Sequence, residues 1–253
     1  MYLALDASKI VETCRALHEQ VCERFPGSGL SRVAGELHSV STHAAETGAW
    51  LARPQYWLRG LSIIAIVAII CVVIGVFLSI DAEPRFTNFA DFLQASEAAI
   101  NEIVFLSVAI FFFVTLENRM KRRKALDAIH VLRSLAHIID MHQLTKDPER
   151  ILSGTPAPED GPRRPQTPFE LIRYLDACSD LLALISKIAA LYVQNFNDPV
   201  TLAAVNEVEA LTNGLSRTIW QKIMILDRIL AGAANSATRK ETVQPGLAIT
   251  PPA

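Results

Sequence analysis

Between Gly75 and Gly154 the chain contains no glycine, and between Pro84 and Pro148 no proline. The two strongest helix breakers are therefore missing from one long stretch, residues 100–146, and this constrains the fold more than any other feature. Residues 103–116 (IVFLSVAIFFFVTL) are apolar on every face. A basic run follows, Arg119, Lys121, Arg122, Arg123 and Lys124, and beyond it an amphipathic pattern sets in. As one helix, 100–146 would be roughly 70 Å long at 1.5 Å per residue, about twice the hydrocarbon thickness of a bilayer. The expectation is a membrane span that continues into an aqueous helix.

A second apolar segment precedes it. Residues 57–80 carry a single charge, Arg59, near their start, and 61–80 carry none. That is long enough to cross a bilayer and too uniform for a soluble core helix. Tyr56 and Trp57 suit an interfacial belt. The connection 81–99 is short and acidic, with Asp81, Glu83, Asp91 and Glu97 against Arg85. Arg53 and Arg59 precede the first span, and the basic run follows the second, 100–118. The positive-inside rule then puts both termini in the cytoplasm and the acidic connection outside, as in a protein of the inner (cytoplasmic) membrane. The basic run has two readings: a topology determinant that also contacts anionic headgroups of the lipid bilayer, or a binding site for a specific lipid or nucleotide.

The rest reads as all-α. Residues 1–53 form a helical hairpin, turning at Pro26-Gly-Ser-Gly29, with Ser31 as N-cap of its second helix. Its core faces are Ile10, Leu17 and Val21, then Val33, Leu37, Val40 and Ala44. His18, His38 and His43 lie here without a carboxylate or cysteine at ligand spacing. Residues 119–147 continue the second span as an amphipathic helix. Residues 148–168 hold six prolines and read as a linker. Thr167-Pro168 and Asp198-Pro199 are matching N-cap and N1 signals, starting two further bundle helices within 168–231. Gly214 in the second of these points to a close approach by another element, and Trp220 to an interface rim or a core edge. Residues 232–253 are small and polar and read as disordered.

The chain is 51% hydrophobic, concentrated in the two spans, and its net charge of -2 argues against nucleic acid as a partner. Cys14, Cys22, Cys71 and Cys178 follow no metal spacing and fit reduced thiols. No signal peptide is expected, since MYLALDASK has no basic region before an apolar core. Phosphate loop, GxSxG and HExxH patterns are absent, so no cofactor and no catalytic residue is expected. Neither span has an ionisable residue at its middle, which leaves an ion-coupled transporter without a carrier site.

The polar candidates lie on the amphipathic helices. From 126 onward Ile129, Val131, Leu132, Leu135, Ala136, Ile138 and Ile139 take one half of the wheel. His130, Arg133, His137 and Asp140 form a ladder on the other. Asp176 and Asp180, an i, i+4 pair, sit on a narrow stripe of the next helix with Arg173, Lys187 and Gln194, and Glu209 and Arg217 lie on the last. Together these could line a polar pocket; equally, each could be a solvated face. A metal is a poor fit, because His130 and His137 are about 10.5 Å apart along the axis and Arg133 lies between them. The one string resembling a metal motif is His137, Asp140 and His142, in which His142 points away from the other two on a continuous helix.

The stretch Arg133-Ser-Leu-Ala-His137-Ile-Ile-Asp140-Met-His142-Gln-Leu-Thr-Lys-Asp-Pro148 resembles a signature of an uncharacterised bacterial two-span membrane family. Tyr174-Leu-Asp176-Ala-Cys178-Ser and Gly214-Leu-Ser216-Arg217-Thr-Ile-Trp220 resemble its other blocks. The resemblance implies a bacterial source and the two-span architecture, and carries no activity. The layout is also similar to SLATT-type pore-forming membrane effectors. No SLATT motif recurs, and the N-terminal hairpin and two late helices depart from that pattern. Three functions follow as expectations. The first is a non-enzymatic membrane-anchored helical bundle acting as an interaction, scaffold or sensor module, as a homo-oligomer or with another protein. The second is a cytosolic ligand-binding or hydrolytic site on the ladder. The third is an oligomeric pore.

Overall fold

The computed structural model describes residues 4–79, 89–144 and 167–242. All regular structure among them is helical: α1 Ala7–Arg24, α2 Gly29–Ala52, α3 Tyr56–Ser79, α4 Phe89–Leu144, α5 Pro168–Val193 and α6 Pro199–Thr242. Most of the Pro-rich linker, 81–88 of the acidic connection, and 243–253 lie outside the described residues.

Two compact units divide the chain. One comprises 51–55, α3 and the 89–125 part of α4; the other comprises α1, α2 as far as Trp50, the 126–144 part of α4, α5 and α6. In the first, α3 and the apolar part of α4 are each long and apolar enough to cross a membrane. Their outward side chains are uncovered: Ile64, Val72, Phe105 and Phe111 are all more than 60% exposed. Ser62 Oγ donates to the Phe113 carbonyl at 3.1 Å, joining the two helices.

The bundle is built round α5. Thr167 caps it with a reciprocal capping box, its side chain accepting from Glu170 N while Glu170 accepts from Thr167 N, and Pro168 stands in the first turn. Leu171, Leu175, Cys178, Leu182, Ile185, Ile188 and Ala189 of α5 are each fully buried. Each fully buried leucine or isoleucine is worth about 2 kcal/mol. α1 packs along α5 through Ile10, Cys14, Leu17 and Val21. Phe25 meets Tyr174 edge to face at 5.4 Å. α6 packs along α5 too, burying Val205, Val208, Ile219 and Leu226.

Asp6 caps α1, accepting from Ser8 N and Lys9 N. Three boundaries differ from the sequence expectation. Ser31 is already helical; its N–H donates to Ser28 Oγ at 3.1 Å, so Ser28 does the work of a cap. Residues 89–99, expected as loop, form the first turns of α4, whose sequence there (FADFLQASEAA) has no breaker. Finally, α6 continues past 231 to Thr242, tolerating Gly232. Gly27 takes φ 70° in the turn between α1 and α2, a conformation open to glycine.

Candidate functional site

The ladder on α4 is positioned by the face opposite it. Leu132, Ala136 and Ile139 are fully buried, which turns His130, Arg133 and His137 to the surface and leaves Asp140 half-buried. Arg133 Nη1 lies 3.0 Å from Glu207 Oε2 on α6, with both side chains about half exposed or more. Such a pair is worth at most about 1 kcal/mol. Asp140 Oδ1 accepts from Gln143 Nε2 at 2.6 Å. Asp176, Asp180 and Arg217 are exposed, and Glu209 is half-buried. Among the described residues no hydrogen bond or ion pair joins two of these eight candidates. The ladder is drawn instead to Glu207 and Gln143.

One of the candidate acids, Asp180, does meet a cavity. An open groove of about 1200 Å³ runs between α1 and α5, lined among others by Asp6, Lys9, Thr13, Asp180, Ala183 and Lys187. Asp180 reaches water yet lies against the groove wall. Its desolvation there, reinforced by the Asp176 carboxylate one turn back, raises its pKa against the opposing pull of Lys187. Just before α1, where Leu5 itself lines the groove, the Gln194 amide clamps the backbone of Leu5, accepting from its N–H at 2.9 Å and donating to its carbonyl at 3.3 Å.

A second polar cluster is interior. Gln143 is 1% exposed. Lys222 Nζ on α6 donates to both the Gln143 carbonyl (3.1 Å) and its Oε1 (2.8 Å). That carbonyl lies in the last turn of α4 among the described residues, where the helix dipole favours the cation that Lys222 supplies. Beside it the His142 ring packs on Gly29 of α2, where an added Cβ would overlap the ring. His137 and His142 thus diverge, one to the surface and one to α2. Among the described residues no three His, Cys, Asp or Glu side chains are grouped to hold a metal ion. Burial raises the Cys14 thiol, with a hydrogen bond to Ser41 opposing it. Burial also pushes the Tyr192 hydroxyl up to about 12. Both behave as core residues.

The third cluster closes one end of the α3–α4 hairpin. Glu117 accepts from Arg59 Nε at 2.6 Å, from Lys121 Nζ at 2.9 Å and from Gln55 N at 3.2 Å. Lys121 Nζ also donates to the Arg53 carbonyl at 2.9 Å, and Lys121 is only 6% exposed. The basic run is therefore divided. Lys121 turns inward as a structural cation. Arg119, Arg123 and Lys124 are exposed, Arg122 is half-buried, and the Arg119 guanidinium sits over the Phe112 ring at 5.5 Å.

Glu117, Arg59, Gln143 and Lys222 are absent from the sequence candidates. Glu117 had a signal, as the lone carboxylate between an apolar span and a basic run. Gln143 and Lys222 had none, since their pairing depends on how α4 and α6 dock. Comparison of the chain with family models, with curated proteins and with solved structures gives no match.

Proposed function

We propose that this protein is a membrane-anchored helical bundle acting as an interaction, scaffold or sensor module. α3 and α4 cross the bacterial inner membrane, the bundle and both termini lie in the cytoplasm, and the protein works as an oligomer or with a second protein. The observation that carries the reading is the contrast between the two units. The bundle buries most of its leucines and isoleucines, whereas the α3–α4 hairpin presents Ile63, Ile64, Val67, Val108 and Val114 outward, each more than half exposed. A surface of that size and apolarity needs hydrocarbon or other apolar helices around it. The orientation is supported by the Glu117 cluster, which ties Arg59 of α3 and Lys121 of α4 to the same end of the hairpin.

The functional half of the proposal rests on the polar geometry. The bundle's buried polar contacts link helices to one another, and its surface stripes on α4, α5 and α6 face outward. The test is the mass of the protein reconstituted in nanodiscs, read by native mass spectrometry alongside chemical crosslinking in the source membrane. Oligomers, or a reproducible second protein, are expected. A monomer at every concentration with no crosslinked partner contradicts the module reading.

A further inference from the structure

The end of the hairpin that holds Glu117 is strongly cationic. Residues 51–79 and 103–125 contain Arg53, Arg59, Arg119, Lys121, Arg122, Arg123 and Lys124 against a single acid, Glu117. Seven cations less one anion leave a net charge of +6. Two of the cations, Arg59 and Lys121, share that one carboxylate. Arg119 and Arg123 do not. Both are exposed, and they stand at i, i+4 on α4, about 6 Å apart at Cβ. Arg119 is steadied by the Phe112 face beneath it. Tyr56 and Trp57, 77% and 62% exposed, flank the same end on the first turn of α3, which is the composition of a headgroup-level belt.

We propose that Arg119 and Arg123 form a contact for the phosphate of an anionic phospholipid headgroup, and that Lys121 takes no part in it. The inference rests on the membrane reading above. Two adjacent guanidiniums suit a phosphodiester, because each offers a planar fork of donors to its oxygens. Lys121 carries the same formal charge, but its ammonium is occupied by Glu117 and the Arg53 carbonyl. Equal charges in one run therefore do different work: one locks the joint between α2 and α3 onto α4, and two meet lipid. A basic residue at an anionic surface contributes an affinity factor of about five.

The test uses the full chain in nanodiscs with trace spin-labelled phosphatidylglycerol or spin-labelled phosphatidylcholine, and reads the relative association of the two lipids from the motionally restricted fraction. The wild type is expected to prefer phosphatidylglycerol several-fold. R119Q/R123Q is expected to abolish the preference, and K121Q to keep it. An unchanged preference in R119Q/R123Q overturns the proposal, as does an equal loss in K121Q. If K121Q proves unfolded by circular dichroism, E117Q/K121Q, which removes both partners together, serves in its place. Inorganic phosphate is added at matched ionic strength against chloride. Displacement of the labelled lipid by phosphate alone identifies a free-phosphate site and overturns the lipid assignment; no displacement supports it. Failure of the wild type to enter phosphatidylcholine nanodiscs at all defeats the membrane reading, an outcome separate from loss of lipid preference in a protein that does insert.

Discussion

Replacing Lys222 with methionine tests how the end of α4 is held in the bundle. The side chain keeps its length and loses its charge. Two hydrogen bonds go, at 3.1 Å and 2.8 Å, both to Gln143. Bonds to a charged group are worth about 1.5–3 kcal/mol each, and a buried acceptor left unmet costs about 1–3 kcal/mol. Lys222 is half-buried, so water recovers part of this, but Gln143 is 1% exposed and cannot be rehydrated in place. A loss of about 3 kcal/mol is expected for K222M. Gln143→Leu alone removes the amide, and with it the bonds to Asp140 and from Lys222 to Oε1, while the ammonium keeps its bond to the backbone carbonyl, at about 2 kcal/mol. In the double variant the second change has less left to break, so the two effects fall short of their sum by about 1.5 kcal/mol. Urea denaturation of the full chain in detergent micelles, followed by circular dichroism at constant slope, measures all four corners. Additivity within about 0.5 kcal/mol would refute the coupling.

Asp180 gives a pH dependence. Its folded pKa is raised, so the protonated form is favoured in the native state. Its contribution is fully present below the unfolded carboxylate value and is lost as pH rises through the higher folded value. Asp180→Asn should therefore melt higher than wild type at neutral pH, with the gap closing in acid; a variant less stable at pH 7 contradicts the assignment. Gly29→Ala should destabilise the bundle by about 1 kcal/mol, since the half-buried His142 ring must move out of the way of the added Cβ. Adding His142→Ala should recover most of that loss in the same denaturation assay, and no recovery would show that the ring is not the obstacle.

Much of the architecture was legible because it follows from periodicity. The stripe Arg173, Asp176, Asp180 and Lys187 is the exposed side of α5, and the capping box at Thr167 starts that helix where the Thr-Pro pair predicts. The apolar half of α4 expected from the wheel is buried at Ile129, Leu132, Leu135, Ala136 and Ile139, although Val131 and Ile138 stay 45% and 40% exposed. What a wheel cannot supply is the identity of the neighbour. It gives no sign that Gln143 of α4 and Lys222 of α6 pair, and it treats five basic residues as one run when Glu117 singles out Lys121. Glycines were misjudged for the same reason. Gly214 was expected to face a close neighbour, yet a Cβ there meets nothing within 4 Å, whereas Gly29 stands against His142. Trp220, 62% exposed, is no core edge. Helix ends were hard to place where capping and propensity agree only weakly, as in the extra turns of α4 from Phe89 and of α6 to Thr242.

The proposed crossing of the membrane by α3 and α4, with the bundle on the cytoplasmic side, is open to direct measurement. Single cysteines on a background lacking the native four, one at Glu83 in the connection between α3 and α4 and one at Arg228 on α6, report it directly. A membrane-impermeant maleimide applied to spheroplasts should label position 83 at once and position 228 only after permeabilisation. Labelling of both positions in intact spheroplasts, or release of the protein by alkaline carbonate, contradicts the account.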